Sequence, residues 1–153
     1  MNTGNVMVIK KQEVGSCILC VIDFSETSKD ALKTAVTIAD STKSSLTILY
    51  PYRLNQPKNV PSMSEWKKSI EADACNSFTR MTNTLLKESG LVWEFKPEVG
   101  FVDDRIEAFT EKNDVGIVVI GAELARTSDG ALIEMLDKLN CPLLIVPKNQ
   151  IRS

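Results

Sequence analysis

The sequence predicts one α/β domain built on a mostly parallel sheet with helices on both faces. Three observations carry that expectation. Apolar runs of strand length recur along the chain, amphipathic stretches of helical period separate them, and 153 residues with 43% hydrophobic content suffice for one core without covalent staples. Strands alternating with helices in this way are joined by right-handed crossovers.

Ser16 to Asp23, SCILCVID, is a continuous apolar run closed by a carboxylate, the pattern of a strand buried on both faces. The following FSETSKDALKTAVTIADSTK predicts a helix, with Ser25 a good N-cap and Ala31, Leu32, Ala35, Ile38 and Ala39 on one stripe. Leu46 to Tyr50 is the second strand, and the polar stretch from Pro51 to Pro61 reads as a loop. Trp66, Ile70, Ala74, Phe78, Met81 and Leu85 then recur at helical spacing. They predict a long helix that packs on the core, capped by Ser62 or Ser64 and stopped at Gly90.

Leu91 to Val99, LVWEFKPEV, alternates Trp93 and Phe95 with Glu94 and Lys96, and Pro97 cannot donate to a central ladder. That strand belongs at a sheet edge. Val102 to Lys112 predicts a short helix whose free amides are served by Asp103 or Asp104. GIVVIGA, 116–122, is a fully apolar strand, followed by a polar turn and a helix turning Leu132, Met135, Leu136 and Leu139 inward. CPLLIVP, 141–147, is the last strand, and Trp66 and Trp93 are expected in the core.

Composition excludes several functions. The net charge is −2 and the eighteen Lys and Arg are scattered, so no basic footprint exists for nucleic acid. No run approaches the roughly 20 apolar residues that cross a bilayer, and the lysines at the N-terminus follow a short apolar stretch, so no membrane partner is expected and the chain is read as cytoplasmic. Cys17 and Cys20, three apart on a strand, point to opposite faces and cannot share a ligand; reduced thiols are expected. The chain has no histidine, which removes the usual participant of Ser-His-Asp catalysis and of most zinc sites. No catalytic group and no metal site is evident. Phosphoacceptor chemistry needs clustered carboxylates, and strand one supplies only Asp23.

Three passages, ILCVIDFSETSKDALKTAVTIA, VGIVVIGA and NCPLLIVPK, resemble the universal stress protein family across residues 16–148. Residues 1–15 are then an N-terminal extension and 149–153 a C-terminal tail. The resemblance implies an adenine nucleotide alpha hydrolase-like, Rossmann-like sheet of order 3-2-1-4-5, with the last strand at the edge opposite Pro97. A bare apolar edge invites pairing, so a homodimer through Leu143, Leu144, Ile145 and Val146 is expected. Alternatively Val6 to Lys10 forms a short strand that covers an edge.

Ligands of such sheets lie beyond the carboxyl ends of the strands where the order reverses, here between Asp23 and Gly121. The resemblance places the adenosine contacts of ATP-binding members at Asp23 and Pro51, with Ile22 beside them; a loop anchor is the other reading of Asp23. Those members carry a phosphate loop, G-x2-G-x9-G-[ST]. Here Gly121 matches its first glycine, Leu124 takes the second position, and no Gly-Ser follows. Glu123 and Asp129 stand where a triphosphate has to lie, and their repulsion outweighs the attraction of a helix N-terminus. Arg126, Ser128 and Gly130 are placed to form a small anion site.

The expected function is that of a dimeric regulatory or binding protein of the stress-response type, acting through a protein partner or a weakly held nucleotide. It needs no cofactor and does not bind ATP in the family's usual way. The alternative is a nucleotide-binding switch, for ATP or AMP, with a reshaped loop around Arg126 and Gly130. An enzyme acting on a nucleotide is the third reading, and it lacks a catalytic group.

Overall fold

The computed structural model describes residues 16–55, 58–59, 62–83, 85–87, 89–128 and 130–149. The expected strand at Val6 to Lys10, Pro61, the charge at Asp129 and most of the C-terminal tail lie outside the described residues.

The first strand, β1 (Cys17–Val21), is buried along its whole length. It is flanked by two parallel neighbours, β2 (Ser45–Tyr52) and β4 (Val115–Gly121). Among the described residues, β3 (Trp93–Val99) pairs with β2 alone and β5 (Leu143–Val146) with β4 alone, giving the order β3-β2-β1-β4-β5. The Pro97 strand is thus at an edge. Side chains of β1 alternate between two cores: Ile18 and Cys20 pack with Ala31, Leu32 and Ala35, whereas Leu19 and Val21 pack with Ile106, Leu124 and Leu132. Cys17, Cys20, Cys75 and Cys141 are free thiols.

Helix α1 (Glu26–Thr42) buries the expected alanine and leucine stripe and ends on a left-handed Lys43, whose amide returns to Ala39 and Asp40. Helix α2 (Met63–Met81) is capped by Ser62, which accepts the Glu65 amide at 3.1 Å. It stops at Thr82 rather than continuing to Gly90. The Thr82 amide makes the last helical bond, to the Phe78 carbonyl at 3.0 Å, with its hydroxyl on the same oxygen at 2.9 Å, and its backbone at φ −111° and ψ 17° leaves the helix. Only Ala74 and Phe78 of α2 are fully buried; Trp66 is half-buried, with its indole donating to the Asn55 carbonyl. Trp93 is 42% exposed, not a core residue: it opens an edge strand, with the Phe78 ring 5.7 Å away.

Helix α3 (Val102–Lys112) has Phe101 at its N-cap position, and Asp103 and Asp104 lie one step inside, in the first turn, where they meet the dipole without capping it. Where a polar turn is expected after β4, the chain forms helix α4 (Ala122–Thr127). Ala122, Leu124 and Ala125 are good helix formers, and Leu124 is buried in the core. Helix α5 (Ala131–Leu136) buries Leu132 and Met135, but its six residues turn Leu136 outward, where it is 43% exposed. Among the described residues no helix is long and apolar enough to cross a membrane.

Candidate functional site

The candidate crevice lies at the carboxyl ends of β1, β2 and β4. Ile22 extends β1 by donating its amide to Leu49 and is fully buried. The chain then turns through Phe24, which sits at φ 69°. A left-handed bulky residue costs roughly 1–3 kcal/mol and persists only where its surroundings hold it. Asp23 does the holding. Its Oδ1 accepts the Ser25 amide at 3.0 Å, the Ser25 hydroxyl at 2.5 Å and the Ser28 hydroxyl at 2.9 Å, while its amide donates to the Ser28 oxygen at 3.0 Å. Ser25 does occupy the N-cap position of α1, but its hydroxyl is committed to Asp23 and makes no capping bond.

The Phe24 ring meets Tyr50 edge-on at 5.0 Å, and Tyr50 stacks on Tyr52 at 5.8 Å. Burial pushes the Tyr50 phenol up, and Asp23 adds to the shift. The Tyr52 hydroxyl donates to Glu71 at 2.6 Å; burial and this acceptor push it up further.

The amides of the first turn of α1 find a partner far along the chain. Glu123 Oε1 accepts the Thr27 amide at 2.9 Å and the Thr27 hydroxyl at 3.2 Å, and the Glu123 amide donates to Thr27 Oγ1 at 2.9 Å. Two helix starts therefore satisfy each other's free amides, a reciprocal cap formed between two helices instead of within one. The Thr27 amide, and after it the Thr27 hydroxyl, holds the Glu123 carboxyl below its ordinary range, against the opposing effects of desolvation and Asp23. Gly121 makes the approach possible. Its backbone, at φ −77° and ψ 152°, is open to any residue, but a Cβ there falls 2.6 Å from the Thr27 carbonyl carbon and oxygen.

A cavity of about 410 Å³ lies between Pro51, the Gly100–Asp103 turn at the start of α3, and Thr127 and Ser128 at the end of α4. Its volume is within the range of small-molecule sites, about 300–1,000 Å³. The Arg53 guanidinium sits over the Phe101 ring, 4.2 Å from its centroid, at the same place. Of the residues singled out in the sequence for ligand binding, Pro51 and Ser128 line this cavity. Asp23 is turned into its own loop, and Ile22 is in the core. Arg126 is exposed on α4, and Gly130, at φ 90°, starts α5. The Ser128 hydroxyl donates to Ala125 and the Thr127 hydroxyl to Leu124, so both close the end of α4.

Sequence reasoning missed Thr27, Arg53 and Phe101. Nothing local marks Thr27, because its partner is 96 residues away. Phe101 does carry a signal, an aromatic residue directly after Gly100 and before a helix start, where burial is difficult; it is 52% exposed. Among the described residues no group of acidic or thiol side chains is arranged to hold a metal.

A family model described as the universal stress protein family matches residues 17–147. Among solved structures, the chain is similar to the universal stress protein UspA from Lactobacillus plantarum, at 20% identity and TM-score 0.68, covering 87% of this chain and 98% of that one. It is also similar to a universal stress protein from Archaeoglobus fulgidus in complex with dAMP, at 17% identity and TM-score 0.63, covering 87% and 98%. A third similar structure is a universal stress protein in complex with cAMP, at 19% identity and TM-score 0.60, covering 89% and 99%. At these identities the structures speak for the shared fold. No curated protein matches the chain.

Proposed function

Given that the chain belongs to the universal stress protein family, we propose that it is a regulatory binding protein with no catalytic step, whose crevice does not accept ATP in the family's usual way. One observation carries this reading: the Glu123 carboxylate lies on the Thr27 amide at the start of α1, so the chain presents its own anion where a phosphate chain has to pass. Two others support it. The Glu123 amide in the first turn of α4 is bonded to Thr27 Oγ1, and Leu124 at the second glycine position of the loop pattern is buried in the core. The test is calorimetric titration of the full chain with Mg-ATP. No saturable binding in the micromolar range is expected, and micromolar affinity overturns the proposal.

A smaller nucleotide is favoured by the 410 Å³ cavity at Pro51 and Phe101, and by similar proteins solved with cAMP and dAMP. AMP avoids most of the clash with Glu123, so the same titration with AMP is expected to give the tighter binding of the two.

The regulatory reading includes a homodimer through β5 in the cytoplasm. Among the described residues that strand is an edge, paired on one side, and its Ile145 is 47% exposed. Sedimentation velocity is expected to show a dimer for the parent chain and a monomer for Ile145→Lys. A monomeric parent removes this part of the reading.

A further inference from the structure

A second hollow, of about 250 Å³, opens on the other side of the β1–α1 turn, between the start of α1 and the end of α2. It is lined by Phe24, Lys29, Ser77, Arg80 and Met81. Two features set it apart. Lys29 and Arg80 face the same small volume, and among the described residues neither has a carboxylate within ion-pair distance; Arg80 makes only a long 3.4 Å contact from Nη2 to the Ser77 hydroxyl. In a chain whose net charge is −2, two cations that share a hollow with no acidic lining residue repel each other unless an anion joins them. The remaining wall is apolar, made of Met81 and of Phe24, whose left-handed backbone holds its ring against Tyr50 at this point.

We propose that this hollow binds a small phosphate monoester, with the phosphoryl group between Lys29, Arg80 and the Ser77 hydroxyl, and the organic part against Phe24 and Met81. The planar fork of an arginine beside the point charge of a lysine suits a dianion with three acceptor oxygens better than a single carboxylate. The volume, below the usual range for drug-sized ligands, restricts the organic part to a few heavy atoms or one ring. The site is separate from the Pro51 cavity and does not rest on the proposal made for it.

The test is an NMR titration of the full chain with phenyl phosphate and with inorganic phosphate as probes. Saturable shifts are expected at the amides of residues 24, 29, 77, 80 and 81, with phenyl phosphate the tighter of the two. Lys29→Gln and Arg80→Gln each remove a charged hydrogen bond and are expected to weaken phenyl phosphate by about tenfold or more. Both side chains are exposed, so these variants are expected to keep the parent circular dichroism. Ser77→Asp, which adds a carboxylate between the two cations, is expected to abolish binding. Absence of saturable shifts, equal affinity for the two probes, or affinity unchanged in the double glutamine variant each overturns the proposal.

Discussion

Gly121→Ala separates two roles for one glycine by the sign of its effect. If Gly121 is present only so that a ligand phosphate can approach the backbone, alanine is harmless in the nucleotide-free protein. The backbone at φ −77° and ψ 152° suits alanine, and removing a glycine from the unfolded chain stabilises by about 0.4–1 kcal/mol. The geometry gives the opposite sign. The new Cβ meets the Thr27 carbonyl carbon and oxygen at 2.6 Å and its Oγ1 at 2.7 Å, about 0.8 Å inside ordinary contact. Two of those atoms are backbone, so no side-chain rotation relieves the clash, and α1 has to move off β4. Overpacking of this kind costs roughly 1–3 kcal/mol. At about 2–4 °C per kcal/mol for a chain of this size, the melting temperature is expected to fall by roughly 2–12 °C. Thermal and urea unfolding of the nucleotide-free variant measure it, and a variant that melts at or above the parent temperature refutes the steric argument.

Two further outcomes test the clamp itself. Thr27→Val keeps the shape of a side chain that is only 1% exposed but leaves the Glu123 amide without its acceptor, so a loss of about 1–3 kcal/mol is expected by urea unfolding. The clamp also carries a pH dependence. Because Glu123 is held below its ordinary range in the folded chain, its contribution is complete above the unfolded glutamate value and is lost as pH falls through the folded one. The urea midpoint is therefore expected to drop below about pH 4 in the parent and to drop less in Glu123→Gln; identical pH profiles for the two refute the assignment.

The legible part of this chain is the part that depends on local pattern. Runs such as SCILCVID are apolar on both faces because β1 is the middle strand, and Pro97 marks an edge through the donor it lacks. The errors share a cause, which is that the position of a neighbour is not written in the local residues. Trp93 has the composition of a core residue, yet it opens an edge strand and is 42% exposed. The stripe of α2 runs on past Met81 through Leu85 towards Gly90, yet the backbone leaves the helix at Thr82, at φ −111° and ψ 17°. AELART was read as polar turn because a loop was expected there. Its alanines and Leu124 favour a helix once the core behind β4 can receive the leucine.

The candidate site is least legible where its chemistry is decided. The sequence reads Asp23 as an adenosine contact or loop anchor and Glu123 as a charge facing a triphosphate, and shows the hydrogen-bond partners of neither. Asp23 is a local device that fixes a left-handed Phe24 through neighbours two and five residues away. Glu123 acts across 96 residues, and its effect depends on Gly121 having brought α1 within reach. On the reading proposed above, Leu124 and Glu123 act as one device. Leu124 anchors α4 in the core, the helix start aims the residue before it at Thr27, and the amide that a phosphate oxygen would seek is already bonded. An incoming anion has to displace a tethered carboxylate and leave it near its own charge, which is a larger obstacle than the absence of a glycine alone.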